Sequence, residues 1–537
     1  MIRNIYKCVA GLLVLAQSVS AKAPEEKKVL ETMKQATRFM MEKASFNGGF
    51  VWSYLPDFSR SWGEVEANRT MAWVQSPGTP AVGQLLLDAY HATGDEYYYQ
   101  AAKKTANALI WGQLDCGGWN YMFDFAGENS LKQWYATTGK SAWRLEEFQH
   151  YYGNATFDDA ATVDAAKFLL RIYVEKNDPV FRPALEKAIR FVLESQYPAG
   201  GWPQRYPLKY DHVFHRKSDY SSFITLNDDV IPENIDFLLQ CYQAAGLQNV
   251  REPLIRAMNL MITLQQGAPY AGWADQYTVD DLQPAHARSY EPRGVNSGTT
   301  VRMIHVMIEY YKLTGDTKFL ARIPEAIAFL KSQALPESEV RRFNRTSRES
   351  SDILVPRFIC PESGKPQYVH RRGSNVYNGE YYVDEDIANT IGHYASASFV
   401  SIPNLEKAYQ DALALSPAEL KAKSPLFSTE RIPLQKYYSA QRFGGNDLPA
   451  EVTALLQSIS KEGYWLSPIA VSYPYREYPK EGVAYSGNEY ASTNVGDKYD
   501  TSCFRKEGNM GISTGFYIAC MMKFITYLDS IKPNIQP

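Results

Sequence analysis

The sequence predicts an all-α protein, an α/α toroid built from repeated helical hairpins with long irregular loops. Three observations predict it. A pattern of helix, turn, helix and then Gln followed by Gly-Gly-Trp recurs along the chain. One tyrosine returns at an equivalent place in each copy, and the apolar residues within a copy follow helical spacing.

The elements follow in order. Arg3 and Lys7, the apolar run from Val9 to Ala16 and the small-residue site Val19-Ser20-Ala21 read as a cleavable secretion signal over residues 1–21. The expected location is therefore secreted or periplasmic. Nothing later approaches the roughly 18 uninterrupted apolar residues of a membrane span, so no membrane is expected after signal cleavage. Removing Arg3 and Lys7 takes the formal charge from −3 to −5, which excludes a global basic field for nucleic acid. Five cysteines remain (Cys116, Cys241, Cys360, Cys503, Cys520), scattered and without C-x-x-C spacing. That argues against a disulfide framework or a zinc site and leaves room for one or two bridges.

Residues 22–79 hold one amphipathic helix, "EKKVLETMKQATRFMMEKA" (26–44), and a Gly- and Trp-containing stretch expected to close one side of the toroid. The core, 80–395, contains the repeats "PAVGQLLLDAYHATGDEYYYQAAKKTANALIWGQLDCGGW" (80–119), "DDAATVDAAKFLLRIYVEKNDPVFRPALEKAIRFVLESQYPAGGW" (158–202) and "DDVIPENIDFLLQCYQAAGLQNVREPLIRAMNLMITLQQGAPYAGW" (228–273), with a half copy at 297–316. Tyr90, Tyr173, Tyr242 and Tyr311 are equivalent, spaced by 83, 69 and 69 residues, and Trp119, Trp202 and Trp273 mark the hairpin ends. Residues 396–537 read as a helical extension of the same domain, with helices in 449–465 and 512–531 and a polar, Tyr-rich loop at 473–500.

A hairpin with an apolar face must bury it against its neighbours, and hairpins that curl into a ring bring the N-termini of all inner helices to one face. The loops entering those helices carry Asp158 and Asp159, Asp228 and Asp229 after Asn227, and Ser297, Gly298 and Thr299. One acid per loop is expected as an N-cap. Two loops each supply two, and four carboxylates on one rim repel unless a cation lies among them. A hard, oxygen-liganded ion such as calcium suits these residues, making Asp158, Asp159, Asp228 and Asp229 the candidate metal ligands. Downstream loops place Arg288, Tyr290, Glu291 and Arg293 within six residues, and Lys365, Arg371 and Arg372 in "SGKPQYVHRRGSN" (363–375). Such charges are ordinarily solvated surface. Beside an acidic rim, guanidinium groups can grip carboxylates, which points to an acidic sugar polymer as partner.

The motifs "TFDDAAT" (156–162), "GGWPQRYP" (200–207), "YSSFITLND" (220–228), "ARSYEP" (287–292) and "PRF" followed by "SGKP" (356–366) together resemble the family 10 polysaccharide lyases, pectate lyases with an α-helical toroid. The resemblance runs from about residue 80 to about 375. It implies that Asp158 and Asp228 hold calcium and the substrate site. It also implies that Arg288 is the proposed catalytic base and that Arg371 binds a uronate carboxylate. Asn227, Tyr290, Lys365, Arg371 and Arg372 are the candidate substrate-binding residues. The chain departs from the family pattern at Ser222-Phe223, where Asp-His is common, and at Thr299 or Thr300, where a glutamate is common. It also lacks arginine in "ANTIGHY" (388–394), near where a further pair is expected.

The implied reaction is anti-β-elimination on a 4-linked uronate such as polygalacturonate. A base removes the C5 proton, and the C4–O bond breaks. The neighbouring carboxylate must be neutralised first, by calcium and a guanidinium. Arginine can act as the base only if nearby positive charge disfavours its protonated form, with Tyr290 or Lys365 as fallback. Two other readings fit parts of the sequence. "QLDCGGW" (113–119) and "QYPAGGW" (196–202) match the Q-x-x-x-G-x-W repeat of terpene cyclases, and a non-catalytic protein on the same scaffold would bind acidic glycans.

Overall fold

The computed structural model describes residues 23–142, 145–209, 217–343, 351–372, 380–388, 390–391, 395–428, 430–439, 447–472 and 501–532. The expected signal segment and the Tyr-rich loop 473–500 lie outside the described residues.

Fifteen α-helices are described, as α1 (Glu26–Phe39), α2 (Thr79–Thr93), α3 (Glu96–Gly112), α4 (Glu128–Thr137), α5 (Ala161–Lys176), α6 (Arg182–Glu194), α7 (Val230–Ala245), α8 (Arg251–Thr263), α9 (Ser297–Thr314), α10 (Ile323–Ser332), α11 (Glu337–Phe343), α12 (Ile402–Leu413), α13 (Pro417–Lys423), α14 (Leu448–Ser458) and α15 (Thr514–Ile531). The inner layer runs α15, α2, α5, α7 and α9, and α1, α3, α6, α8 and α10 lie outside it. The burial pattern separates the layers. In α5 every residue from Ala161 to Ile172 is buried except Asp164, whereas α6 buries only one face, from Ala184 to Val192. A helix covered on all sides belongs inside; one with a single apolar stripe belongs outside.

The repeated Gln and Gly-Gly-Trp residues fasten each hairpin to the next. Gln113 Nε2 donates to Gly117 O within its own turn at 2.8 Å and to Ala184 O of α6 at 2.9 Å. Gln196 repeats this with Gly200 O and Pro253 O of α8, and Gln265 with Ala271 O and Arg322 O. The indoles of Trp119, Trp202 and Trp273 are buried, each donating to a carbonyl of its own outer helix, Leu109, Val192 and Met261. Gly117 and Gly200 have φ of +107° and +114°, and a Cβ there would lie 2.4 and 2.7 Å from Lys187 O and Arg256 O of the next outer helix. Only glycine meets both demands. The Q-x-x-x-G-x-W pattern is accounted for by this staple.

The N- and C-terminal segments join the ring together. Ser53–Tyr54 pairs antiparallel with Phe504–Ser513, in register Ser53↔Ser513 and Tyr54↔Ile512, inside a five-stranded sheet. Trp465 donates to Leu455 O as the other hairpin-end tryptophans do, and Lys461 O accepts from Gln35 of α1. The loops are less irregular than the sequence predicts, because most form short antiparallel ladders, many of two residues.

At the end away from the rim, a segment ending at Ser439 crosses the C-terminal ends of the inner helices. Tyr438 N and Ser439 N donate to the two oxygens of Asp88, and Arg171 donates to Lys436 O while pairing with Asp88 at 2.7 Å. Between this segment and the rim lies a cavity of about 520 Å³, lined by Asp164, Lys167, Glu233, Asp236, Tyr438 and Met522 among others. The five cysteines after residue 21 are free thiols, and among the described residues no helix is long and apolar enough to cross a membrane.

Candidate active site

The loops entering α5 and α7 adopt one conformation. Asp158–Ala160 and Asn227–Asp229 each form a single 3-10 turn, and in each the last two residues take positive φ: Asp159 (+49°) and Ala160 (+58°), Asp228 (+52°) and Asp229 (+59°). Two consecutive non-glycine residues in that region are costly, and such strain persists where the surroundings impose it. The equivalence is offset by one from the reading of paired acids. Asp158 corresponds to Asn227, and Asp159 to Asp228. No side chain caps α5 or α7, so the capping role expected for one acid per loop is not what these residues do. The loop into α9 differs: Asn296 caps it, accepting from Gly298 N and Thr299 N.

Arg288 lies at the centre of the pocket, 3 % exposed. Its Nη2 donates to Asp158 Oδ2 at 2.6 Å, its Nε to Glu147 Oε2 at 2.9 Å, and its Nη1 lies 3.3 Å from Glu291 Oε2. Tyr121 donates its hydroxyl to the same Asp158 oxygen at 2.6 Å, and Ser289 N donates to Glu146 Oε2 at 2.9 Å. Asp158, Asp228 and Arg288, from three separate loops, are thus brought together. The acid environment decides the charge of the guanidinium. Burial alone would favour its neutral form, but Glu147, Asp158 and Glu291 outweigh burial and raise its pKa well above the ordinary arginine value. The reading as base required positive charge around Arg288; the structure surrounds it with negative charge.

The rim acids share charge unequally. Burial pushes Asp158 up, but Arg288, with hydrogen bonds from Tyr121, Gln204 and Asp228, holds it below the usual carboxylate range. Asp228 is pushed well above that range by burial, then by Asp158 and Asp159; Asp159 is pushed up to about 7 by burial and then by Asp158. Both keep partial solvent exposure, which moderates the burial contribution. Asp158 is therefore held towards its ionised form, while Asp228 beside it is pushed towards its protonated form. Asn227 Nδ2 donates to Asp228 Oδ2 at 2.9 Å. Asp158 Oδ1 and Asn227 Oδ1 are buried with no partner in hydrogen-bonding geometry. Orphaned oxygen acceptors beside neighbouring carboxyls are the donor type that suits a hard cation. Among the described residues, however, no three His, Cys, Asp or Glu side chains are arranged to hold a metal ion.

The family model described as "Pectic acid lyase" matches residues 124–299. The chain is similar to the solved structure of a family 10 polysaccharide lyase from Cellvibrio cellulosa, 16% identical over 62% of this chain and 98% of that one, with a TM-score of 0.41. A variant of that lyase in complex with trigalacturonic acid gives 15% identity over 63% and 99%, with a TM-score of 0.41. An alpha-1,6-mannanase from Salegentibacter sp. HEL1_6 gives 10% identity over 94% and 99%, with a TM-score of 0.37. No curated protein sequence gives a significant match.

The matched segment contains Asp158, Asp228, Arg288, Glu146, Glu147 and Glu291. Other predicted residues lie around it. Asp229 faces outward and pairs with Arg302 of α9 at 3.1 Å. Tyr290 is buried and packs with Val369, Ile391 and Tyr381. Arg371 is buried on the strand Pro366–Arg372, where it is the cross-strand partner of Tyr381. Burial raises the Tyr381 phenol far above its usual value and Glu146 adds to this, so Tyr381 bridges the neighbourhoods of Arg371 and the lyase pocket. Lys365 is solvent-facing and pairs with Glu385 at 2.8 Å. The side chain of Arg372 lies outside the described residues.

Glu146, Glu147, Tyr121 and Gln75 escaped the sequence reading, and Glu291 was noticed without a role. A signal existed for part of this set. The second residue after each of Trp73, Trp119, Trp202 and Trp273 is buried and faces the rim. Gln75 donates to Asp159, Tyr121 donates to Asp158, Gln204 lies beside Asp158, and Asp275 accepts from Asn296 at 2.7 Å.

Proposed function

We propose that this protein is a pectate lyase that cleaves 4-linked polygalacturonate by anti-β-elimination, with calcium held at the Asp158–Asp228 rim, and that the 1–21 segment exports it. One observation supports the reading above the others: acids from two hairpin entries and a guanidinium from a third loop meet in one buried pocket. That pocket lies within the segment matched by the pectic acid lyase family. The matching family acts on an acidic polymer, and a pocket with a fixed cation beside free oxygen acceptors answers that chemistry.

The C5 proton of a uronate becomes acidic when its neighbouring carboxylate is neutralised and the developing enolate is stabilised. Calcium, when bound, would supply part of that neutralisation; Asp158 Oδ1, Asn227 and Asp228 are the residues that would hold it. Arg288 is the catalytic residue. Held charged by Glu147, Asp158 and Glu291, it first binds and polarises the uronate carboxylate. To take up the C5 proton as the base it must first shed its carboxylate partners and release one guanidinium proton to solvent, so that the C5 proton passes to the neutral form while the C4–O bond breaks. Asp158 fixes its orientation, and Tyr121 fixes Asp158. Arg371 and Tyr290 are the candidate substrate-binding residues of the adjoining wall, and Lys365, at the surface, is a candidate contact for the polymer.

Incubation with polygalacturonate, with and without chelator, tests this. A lyase forms an ultraviolet-absorbing unsaturated product whose appearance stops on calcium removal and in Arg288→Lys. A second reading, an acidic-glycan-binding protein without turnover, is favoured by the three carboxylates that hold Arg288 protonated. Retention of polymer without the chromophore would select it.

A further inference from the structure

The short turn Glu146–Phe148 lies against the catalytic loop and presents two acids inward. Glu147 takes the Nε of Arg288, and Glu146 takes the backbone N–H of Ser289, both at 2.9 Å. These are neighbouring donors on one stretch of chain, one of them part of a guanidinium fork that matches carboxylates. A carboxylate ligand would engage the same pair. Both glutamates are buried, and Glu146 Oε1 has no hydrogen-bond partner. A buried carboxylate with one oxygen unsatisfied is a costly contact, readily exchanged for one that satisfies its donors better. The turn is otherwise anchored by apolar packing. Phe148 meets the rings of Tyr121, Trp73 and Trp134 at centroid distances of 5.0, 6.0 and 6.0 Å.

We infer that Glu146 and Glu147 are specificity-determining residues: internal carboxylates that occupy the donors of Arg288 and Ser289 until the carboxylates of a uronate chain displace them. The inference rests on the pectate-lyase reading for the identity of the ligand. Neutral sugars, which bring no anion to exchange, leave the pair in place; a uronate chain replaces like with like. Glu147 thereby filters substrates by charge and also sets how much of the guanidinium is free during turnover.

The test is binding of trigalacturonate by calorimetry to the full-length protein and its Glu147→Gln and Glu146→Gln variants, alongside polygalacturonate kinetics. Each variant keeps a hydrogen-bond acceptor and loses the competing charge. The expected result is binding about tenfold tighter in Glu147→Gln, a smaller gain in Glu146→Gln, and a fall in KM in both variants. Folded variants that bind trigalacturonate as weakly as the parent, or more weakly, overturn the inference. So does failure of both variants to fold, because a turn on which folding depends cannot be the one that yields to substrate. Tighter binding in the variants with no elimination by the parent protein would sink the lyase reading and leave the exchange of carboxylates standing.

Discussion

Asp158 and Arg288 are in contact, Oδ2 to Nη2 at 2.6 Å, although 130 residues separate them in the chain. Both side chains are almost fully buried, so neither charge has water to fall back on. Removing one partner of such a pair leaves the other uncompensated. Asp158→Asn is expected to cost roughly 3 kcal/mol of stability, read from urea denaturation. It should also lower polygalacturonate elimination by more than a hundredfold, since the guanidinium loses the group that aims it.

Asp228 differs in charge from its neighbour. Its carboxyl is pushed towards the protonated form by burial and by Asp158 and Asp159. Asparagine at this position therefore mimics the protonated form towards which Asp228 is pushed. Asp228→Asn is expected to change the melting temperature of the chelated protein little, while raising the calcium concentration for half-maximal rate at least tenfold. A calcium titration of initial rates, compared with melting curves in chelator, checks both halves.

Burial, the largest influence on Glu146, pushes its carboxyl from 4.5 up to about 7. The folded protein therefore keeps this proton to higher pH than the unfolded chain does. The stability linked to it is fully present below about pH 4.5 and is lost as the pH rises through about 7. Glu146→Gln is expected to stabilise the protein by roughly 3 kcal/mol at about pH 8, with the advantage fading towards pH 4. Denaturation at a series of pH values measures it.

The hairpin staples give a prediction independent of the chemistry. Trp202→Ala removes a fully buried indole and its bond to Val192 O, and is expected to cost about 4 kcal/mol. Gln196→Ala removes its bond to Gly200 O in its own turn and the one that ties the hairpin to Pro253 O of the next, and is expected to cost about 2 kcal/mol. Thermal or urea melting decides each, and neither change should alter the calcium dependence of the remaining activity.

The hairpins were legible in the sequence because their signals are local: helical spacing, a repeated tyrosine, and a Gln and Gly-Gly-Trp whose geometry repeats with them. The meeting of Asp158 and Asp228 was legible for the same reason, once the inner helices were taken to begin on one face, while the place of Arg288 beside them rested on the family resemblance. The rest of the pocket depends on packing at a distance. Glu146 and Glu147 belong to a connecting segment with no repeat of its own, and Phe148 places it against Trp73 and Tyr121. Local rules also favoured aligning Asp158 with Asp228. The backbone aligns Asp158 with Asn227, because the positive-φ pair that ends each loop starts one residue later than the doubled acids suggest in the first loop and coincides with them in the second.

The buried Asp88–Arg171 pair, with the backbone it holds at Tyr438 and Ser439, has a consequence for how a long polymer is handled. With the far mouth crossed by this strap, a glycan cannot thread through the ring and exit behind the enzyme. It must lie across the open face and lift off the way it came, so each encounter is free to land anywhere along the chain. Cuts scattered through the interior of the polymer, and a rapid fall in solution viscosity, follow from a ring that is plugged at one end.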